Sequence, residues 1–373
     1  MKITKEDIQD IENDRVDFIV HELERQCEPS IAGSNGRRKM FYAAQKVKEI
    51  AGRHNSELAF RALCQYDQKT SIPPWSARAK TFDCRSQGEL ARDVAALITM
   101  IDWEPVGVRT KEGPKALARV LSKEEATEKA KKRARWEYST EYARLTEKSK
   151  ASLVRYIAEG RVSKERPDPL PFEAIERVCL AGLVHCKLVD NHNLSNEERF
   201  RYIITNGEFA QERRVDGGLI PVKTKDQNGN WIEGRAKCKT LPGSVGNWVG
   251  IPLLPEPGGT VLLVEGCVGL FEAAAAIELQ PEHSHGWGMI AAVSCYSKFT
   301  EDLIDRLKGG KNTVVIAPDS GEAGSDAAIR WENALKHFGV PVKVWRPSAP
   351  YVDLGSIVGN KERHWELQSL FAI

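Results

Sequence analysis

The sequence predicts an α/β protein whose C-terminal part is a four-stranded parallel sheet with flanking helices. Short apolar runs alternate with helical patterns from residue 260 to 356, which is typical of parallel strands joined by helical crossovers. Upstream, an Asn-Gly pair between two alternating runs indicates a β-hairpin. Further upstream, apolar residues recur at helical spacing. We therefore expect a mainly helical N-terminal region, a small β-rich module and then the parallel α/β unit.

The N-terminal region, residues 1–166, is predicted to contain two helices before residue 66 and a long basic helix over Glu124–Ile157. From residue 103 to 166 there are 17 Lys and Arg against 10 Asp and Glu, an excess that suits a polyanionic partner. The segment Lys129–Trp136 is either an arm along nucleic acid or a solvated helix between domains. The proline-rich run Arg166–Pro171 marks the predicted domain boundary.

The middle module, residues 172–258, is predicted to begin with helices at Phe172–Val189 and Glu197–Ile204, and to continue into a hairpin around Asn228-Gly229. Six cations of this module form a candidate seat for template phosphates or a nucleotide triphosphate: Arg213, Arg214, Lys223, Arg235, Lys237 and Lys239. Strand alternation would put the last three on one face. An exposed basic hairpin without any ligand is the alternative.

The C-terminal unit, residues 259–373, carries an acid after three of its four predicted strands. Glu265 follows the first strand, Asp319 the third and Asp353 the last. Ligands of open α/β sheets gather at the carboxyl ends of the strands, so these carboxylates should share one edge. A hard divalent cation, Mg²⁺ or Mn²⁺, would relieve their repulsion. Alternatively, Arg330 and Lys336 of the following helix, predicted from Ala327, neutralise an acidic loop rim without metal.

At these positions the sequence resembles the TOPRIM domain shared by bacterial and phage primases, topoisomerases and some nucleases. The resemblance lies in Glu265-Gly266 and in Asp319–Gly324, which match the family's Glu-Gly and its Asp-x-Asp followed by Ala-Gly. The stretch Asp353–Ser356 is similar to the Lys-Asp-x-Asn-Asp run of many phage primases. Three positions where such primases carry partner acids are occupied by other residues here: Gly269, Gly321 and Ser356.

The resemblance implies a DNA primase or primase-like replication protein of a phage or mobile element, which carries out metal-dependent nucleotidyl transfer on single-stranded DNA. It implies that Glu265 and Asp319 are catalytic and hold Mg²⁺ or Mn²⁺ together with Asp353. Glu322 is a candidate replacement for the missing Asp, and Gly324 a candidate phosphate contact at a helix N-terminus. With partner acids missing, we expect one metal ion. The alternatives are a TOPRIM nuclease, or a catalytically degenerate module that binds nucleic acid or assembles with a partner.

Composition limits the remaining classes. No run approaches the roughly 18–20 apolar residues that span a bilayer, and the first residues show no signal-peptide core, so we expect a cytoplasmic protein, in a bacterial host if it is phage-encoded. The eight cysteines form no Cys-x-x-Cys pair, so no zinc ribbon is predicted. No ATPase motif is visible either. The expected partners are single-stranded DNA, nucleotide triphosphates and a separate helicase.

Overall fold

The computed structural model describes residues 3–29, 36–51, 56–71, 139–189, 193–225, 231–348 and 352–372. Among these residues, the structure is a mixed α/β fold with an antiparallel sheet, a two-stranded hairpin and a sheet of mostly parallel strands. No helix in the described ranges is both long enough and apolar enough to cross a lipid bilayer.

The N-terminal helices are α1 (Lys5–Gln26), α2 (Gly36–Ala51) and α3 (Ser56–Thr70). The Thr4 hydroxyl caps α1 by accepting a hydrogen bond from the Asp7 amide, and the Asp7 carboxylate accepts one from the Thr4 amide, which is a capping box. Apolar side chains of the three helices form a separate core cluster. The helical spacing read from this part of the sequence is confirmed.

The prediction of one long helix over residues 124–157 is wrong over residues 139–146, whereas its last part, from residue 147 to 157, is helical. The chain there forms β1 (Ser139–Glu141), a 3₁₀ turn (Tyr142–Arg144) and only then α4 (Glu147–Glu159). Backbone pairing of β1 with a neighbouring strand overrides helix propensity. The Thr146 hydroxyl accepts from the Ser149 amide and sets the start of α4. The basic segment 129–136, with the aromatic residues at 136 and 138, lies outside the described residues.

Each of the two helices predicted between residues 172 and 204 begins as a helix but continues as a β-strand. The first is α5 (Phe172–Val178), followed by a π-helical turn to Leu183 and by β2 (Val184–Leu188). Gly182, at φ 75°, takes the left-handed conformation that ends the helix. The second is α6 (Asn196–Arg199) and then β3 (Phe200–Thr205). Apolar runs this short fit either structure, and burial between strands decides for the sheet.

The antiparallel sheet has the strand order β1-β2-β3-β4-β7, with β4 at Ala210–Arg214 and β7 at Lys239–Thr240. The predicted hairpin is confirmed as β5 (Ile220–Lys225) paired with β6 (Trp231–Ala236), and its turn lies outside the described residues. The shared face predicted for Arg235, Lys237 and Lys239 is wrong. β6 ends at residue 236, and Lys239 pairs with Glu212 in the other sheet.

The second sheet has the order β12-β11-β9-β10-β8. Its strands are β8 (Trp248–Val249), β9 (Thr260–Glu265), β10 (Trp287–Ala292), β11 (Thr313–Ala317) and β12 (Val342–Val344). The four parallel strands are those predicted, and β8 adds an antiparallel edge. Because Ala317 of β11 pairs with Val264 of β9, the carboxyl ends of these two strands lie side by side.

Helices cover both faces of the parallel sheet. They are α7 (Gly269–Leu279), α8 (Glu301–Gly309), α9 (Glu322–His337), α10 (Leu354–Val358) and α11 (Leu367–Phe371). Alternate strand residues face α7 in one core cluster and α8 with α9 in another. The first cluster also contains α4, α5 and the antiparallel sheet. The edge predicted to carry the site therefore borders the segment that joins α4 to α5.

Candidate functional site

The three predicted carboxylates lie at one edge of the parallel sheet. Glu265 ends β9, and Asp319 follows the adjacent strand β11 by two residues. Asp353 is the N-cap residue of α10, in the segment after β12. The charges of Glu265 and Asp353 both act on Asp319, which places all three within electrostatic reach of one another. The topology thus brings together groups that are up to 88 positions apart.

Glu265 has a carboxylate oxygen without a partner. Its Oε2 atom is buried and accepts no hydrogen bond in the described structure. Burial raises the pKa of this carboxyl, and the charge of Arg330 opposes the rise only in part. A buried carboxylate oxygen without a donor is costly unless something positive binds it. The Oε2 atom of Glu265 is therefore available as a ligand for a cation.

Asp319 is the most perturbed acid of the site. Its side chain has an edge exposed to solvent, yet the protein around it desolvates the carboxylate. This desolvation, followed by the charges of Glu272, Glu265 and Asp353, raises its pKa to about 7. Arg166 opposes the rise. Such a shift, produced by converging carboxylates, is typical of a functional site or a cation site that is not neutralised by protein cations.

Asp353, in contrast, is fully engaged. Its Oδ1 accepts from the backbone amide and the hydroxyl of Ser356, both at 2.6 Å, and Arg166 Nη2 lies 3.1 Å from its Oδ2. Burial disfavours the carboxylate, but the hydrogen bonds from Ser356 and the charge of Arg166 outweigh it and lower its pKa. Asp353 is thus ionised at neutral pH, and a protein cation already holds it.

A fourth carboxylate, Glu272, was not predicted from the sequence. It lies on the first turn of α7, and its Oε1 accepts from Arg166 Nη1 at 2.8 Å and from Arg161 Nη2. Its charge contributes to the raised pKa of Asp319. The available signal was its position, because Glu272 is the one charged residue in the apolar run from 269 to 277. Arg161 and Arg166 carried no such signal, since only tertiary folding brings them here.

Backbone geometry explains why the partner acids at two positions are absent. A Cβ at Gly269 would lie 2.9 Å from Val264 Cγ2, so a side chain there would overpack the start of α7. Gly321 has φ 128°, a conformation that L side chains rarely adopt. At Gly355, a Cβ would lie 2.4 Å from Glu272 Oε1. The absence of this Cβ leaves room for Glu272 beside its arginines.

The structure places the two remaining candidates of the loop after β11 at the start of α9. This helix begins at Glu322, five residues before the predicted start at Ala327. The Glu322 side chain is exposed, and its role as a metal ligand stays a prediction. Gly324 is buried, and a Cβ there would lie 2.3 Å from the Asp319 carbonyl oxygen. Its glycine permits the close approach that sets the Asp319 loop, while phosphate binding by its amide stays a prediction.

A cleft of about 460 Å³ opens beside Asp353 and Ser356. Five cations line it: Arg161, Arg166, Arg213, Arg214 and Lys237. The structure thus brings three of the six predicted phosphate-binding cations together. Arg235 and Lys239 are exposed elsewhere, and for Lys223 only the backbone position on β5 is described. A positive cleft next to clustered carboxylates can hold a polyanion in contact with a bound cation.

Arg330 and Tyr296 stand beside Glu265 at the other end of the site. Tyr296 is 77% exposed on the loop after β10, and the Arg330 guanidinium lies 5.5 Å from its ring centroid. Arg330 also donates to the Cys295 carbonyl at 2.9 Å, which fixes this arrangement. Lys336 bonds to Glu332 at 2.7 Å and is thereby paired outside the site. An exposed ring held beside a cation is suited to stack on a planar base.

Within the described residues, no three histidine, cysteine, aspartate or glutamate side chains are placed closely enough to hold one ion together. The donor chemistry nevertheless fits a hard divalent cation. Glu265 offers a buried oxygen without a donor, and Asp319 carries a charge that its neighbours disfavour. Asp353 and Glu272 are held by arginines instead. The residues thus fit one cation bound by Glu265 and Asp319, with water completing its shell.

No protein-family model matches the chain, and no curated protein matches its sequence. A solved structure with a weak likeness is that of the Aquifex aeolicus primase, comprising its zinc-binding and RNA polymerase domains. The match has a TM-score of 0.35 and 16% sequence identity, and covers 79% of this chain and 69% of that chain. A likeness at that score establishes neither fold family nor activity, so the function has to be argued from the residues of this chain.

Proposed function

We propose that the chain is a TOPRIM-type DNA primase, which joins nucleotides on a single-stranded DNA template with a divalent cation. The observation that supports this most is that a group of carboxylates and a group of cations lie next to each other. Asp353, whose charge acts on Asp319 after β11, lines a cleft together with five cations. Polymerising nucleotides requires a cation between enzyme carboxylates and a triphosphate, and this arrangement offers a position for each.

Glu265 and Asp319 would hold Mg²⁺ or Mn²⁺. Bound there, the ion would supply charge stabilisation for attack of a primer 3′-hydroxyl on the α-phosphate. The unpartnered Oε2 of Glu265 gives one ligand oxygen. Asp319 gives another once it releases its proton, which its pKa of about 7 allows near neutral pH. Asp353 would act by orienting Arg166 rather than as an obligatory ligand, because Ser356 and Arg166 already bind both of its oxygens.

The basic cleft would hold the phosphates of the incoming nucleotide. Arg213 and Lys237 have no carboxylate partner among the described residues, so their charge is available to a ligand. Arg214 forms an ion pair with Asp216, so less of its charge is available to the phosphates. On the opposite side, Tyr296 would stack on a base of the template, a contact that contributes about 1–3 kcal/mol per base. Unwinding would fall to a separate helicase.

The test is primer synthesis on single-stranded DNA with labelled nucleotides and Mg²⁺ or Mn²⁺. We expect short products from the parent and their loss, by a factor of about 100 or more, in Glu265→Gln and in Asp319→Asn. Asp305→Asn is the matched control, since it removes one exposed carboxylate from α8, away from the site. Its yield should equal that of the parent.

Two other outcomes would replace the proposal. Cleavage of the template without synthesis, lost in the same two variants, would make the protein a nuclease. Binding of DNA with neither reaction, and with equal affinity in all variants, would make the module a binding scaffold. One structural observation favours the binding scaffold: Arg166 forms ion pairs with both Glu272 and Asp353, so these carboxylates are not free to bind a cation.

A further inference from the structure

Glu272 is held in the way that proteins hold a phosphate oxygen. Two guanidinium groups, those of Arg161 and Arg166, donate to the same carboxylate oxygen. The three side chains are 12–22% exposed, so the contact is shielded but not sealed. Arginine forks match carboxylate and phosphate geometry equally well. An anion that brings more charge into the cleft therefore competes directly with Glu272.

We propose that Glu272 occupies the phosphate seat of the cleft, and that an incoming nucleoside triphosphate displaces it from Arg161 and Arg166. This inference rests on the proposed function and deepens it. The displaced carboxylate lies beside Asp319 and joins the acids that face the cation. The triphosphate thus adds a cation ligand as it binds. An acid from α7 replaces the one that Gly269 cannot carry.

The charges of the cleft support the direction of this exchange. Arg213 and Lys237 line the cleft, and neither forms an ion pair with a carboxylate in the described part of the chain, although Arg213 donates to the Gln211 side chain, so both charges are available to an anion. Arg161 and Arg166 line the same cleft and share one glutamate charge between them, apart from the bond of Arg166 to Asp353. A triphosphate carries several charges where Glu272 carries one. It therefore gains more from the two arginines than Glu272 loses.

The exchange needs little movement. Glu272 sits on the first turn of α7, and its side chain can leave the arginines by rotation about its own bonds. Gly355 contributes no side chain next to Oε1, so the path is not blocked on that side. Helix α7 itself stays fixed, because the four alanines after Glu272 are all buried.

A permanent role in the cleft wall is the competing explanation. In that case Glu272 would orient the two arginines for the phosphates, and removing it would weaken binding. Under the proposal Glu272 competes for the same arginines, and removing it strengthens binding. The two explanations therefore predict opposite signs for one measurement.

The experiment measures binding of a fluorescent nucleoside triphosphate in EDTA, with inorganic tripolyphosphate as competitor. Without metal, the result does not depend on catalysis or on the cation site. We expect Glu272→Gln to bind about fivefold more tightly than the parent. Glu272→Asp keeps the charge on a shorter side chain and should fall between the two. Glu165→Gln is the matched control, because Glu165 lines the same cleft, but its side chain accepts from Ser163 and a backbone amide and forms no ion pair with an arginine among the described residues.

Unchanged or weaker triphosphate binding by Glu272→Gln would overturn the inference. An equal gain in affinity by Glu165→Gln would also overturn it, because the change in net charge alone would then explain the tighter binding. A parent that binds no triphosphate would also overturn it. Thermal denaturation of each variant shows whether it is folded, and Glu272→Asp carries the test if Glu272→Gln is not. Primer synthesis tests the proposed function separately, so the two can fail independently.

Discussion

Arg166 Nη2 lies 3.1 Å from Asp353 Oδ2, while Nη1 of the same guanidinium lies 2.8 Å from Glu272 Oε1. One side chain thus joins the segment between α4 and α5 to the acid after the last parallel strand and to the acid on α7. Gly359 packs closely against Arg166, since a Cβ at Gly359 would lie 2.8 Å from Arg166 Cβ. The basic wall of the cleft and the acidic edge of the sheet are held together by this residue.

Replacing Arg166 with alanine should destabilise the protein by about 1–3 kcal/mol, because two shielded carboxylates lose a charged donor. Arg166→Lys should recover only part of this, since an ammonium cannot bond both acids as a fork does. Chemical denaturation at pH 7 measures the change. Arg177→Ala is the control, because Arg177 has a single, more exposed pair with Glu278 and should cost under about 1 kcal/mol. Equal losses would show that Arg166 is an ordinary surface pair.

The acids at the strand ends were predictable, and the arginines were not. Glu265 and Asp319 follow from apolar runs that read as parallel strands and from the rule that such strands end at one edge. Arg166 was predicted as part of a proline-rich break that ends the long helix, but the helix already ends at Glu159, with Gly160 as its C-cap. Nothing local shows that the break folds back over α7. Its role depends on contacts more than 100 residues apart.

The affinity for Mg²⁺ or Mn²⁺ should rise with pH and level off above about pH 7. The pKa of Asp319 is raised from 3.8 to about 7, so below that value a cation has to displace a proton. Calorimetric titration with Mn²⁺ at several pH values, in buffers of different ionisation enthalpy, measures both the affinity and the proton released. In Asp319→Asn the rise in affinity around pH 7 should disappear, and only the titration of Glu265, whose pKa burial raises, should remain. An unchanged pH profile in this variant would show that another group titrates.

Asp319→Asn should make the metal-free protein more stable above pH 7. In the parent the folded state binds the Asp319 proton more tightly than the unfolded chain does, so this group's contribution to stability falls as pH rises from about 4 to about 7. The substitution removes that repulsion, a gain of about 1 kcal/mol or less because solvent screens the exposed edge. Thermal denaturation in EDTA at pH 5 and pH 8 tests this. A variant less stable than the parent at pH 8 would contradict it.

Asp7 should couple α1 to α4 in a pH-dependent way. It accepts from the Ser152 hydroxyl at 2.8 Å and from the Tyr156 hydroxyl at 2.5 Å. Burial opposes its charge, but bonds from Thr4, Tyr156 and Ser152 lower its pKa to about 2. Its contribution is therefore present above about pH 4 and is lost as pH falls towards 2. Asp7→Asn should cost about 1–3 kcal/mol at pH 7, by denaturant unfolding, against a small change for exposed Glu6→Gln.

Strand assignment failed where short apolar runs fit two structures. Residues 184–188 and 200–204 were predicted as helical and belong to neighbouring strands of the antiparallel sheet. Their periodicity is short, and only pairing with each other decides the outcome. The parallel strands were predicted correctly because short apolar runs alternate with helical patterns along this part of the chain. The cleft lies between these two regions, which is why only three of the six predicted cations reach it.

Tyr296 should contribute to binding of single-stranded DNA through its ring. The loop holds the side chain 77% exposed beside Arg330. The Ser294 amide donates to the Ser297 hydroxyl at 3.2 Å, which braces the loop internally. Replacing Tyr296 with alanine removes the stacking of its ring on a base and should weaken oligonucleotide binding by about 5- to 100-fold, the equivalent of about 1–3 kcal/mol. Fluorescence anisotropy with labelled oligo-dT measures this.

Two further variants separate stacking from other effects of exposure. Tyr296→Phe keeps the ring and should bind within about twofold of the parent, because stacking does not need the hydroxyl. Trp365→Ala removes an aromatic ring that is 63% exposed on the 3₁₀ segment near the C-terminus and should leave binding unchanged. Because stacking is largely independent of phosphate charge, the loss in Tyr296→Ala should persist at high salt, where contacts of the basic cleft weaken. A loss that disappears with salt would assign the effect to Arg330 instead of the ring.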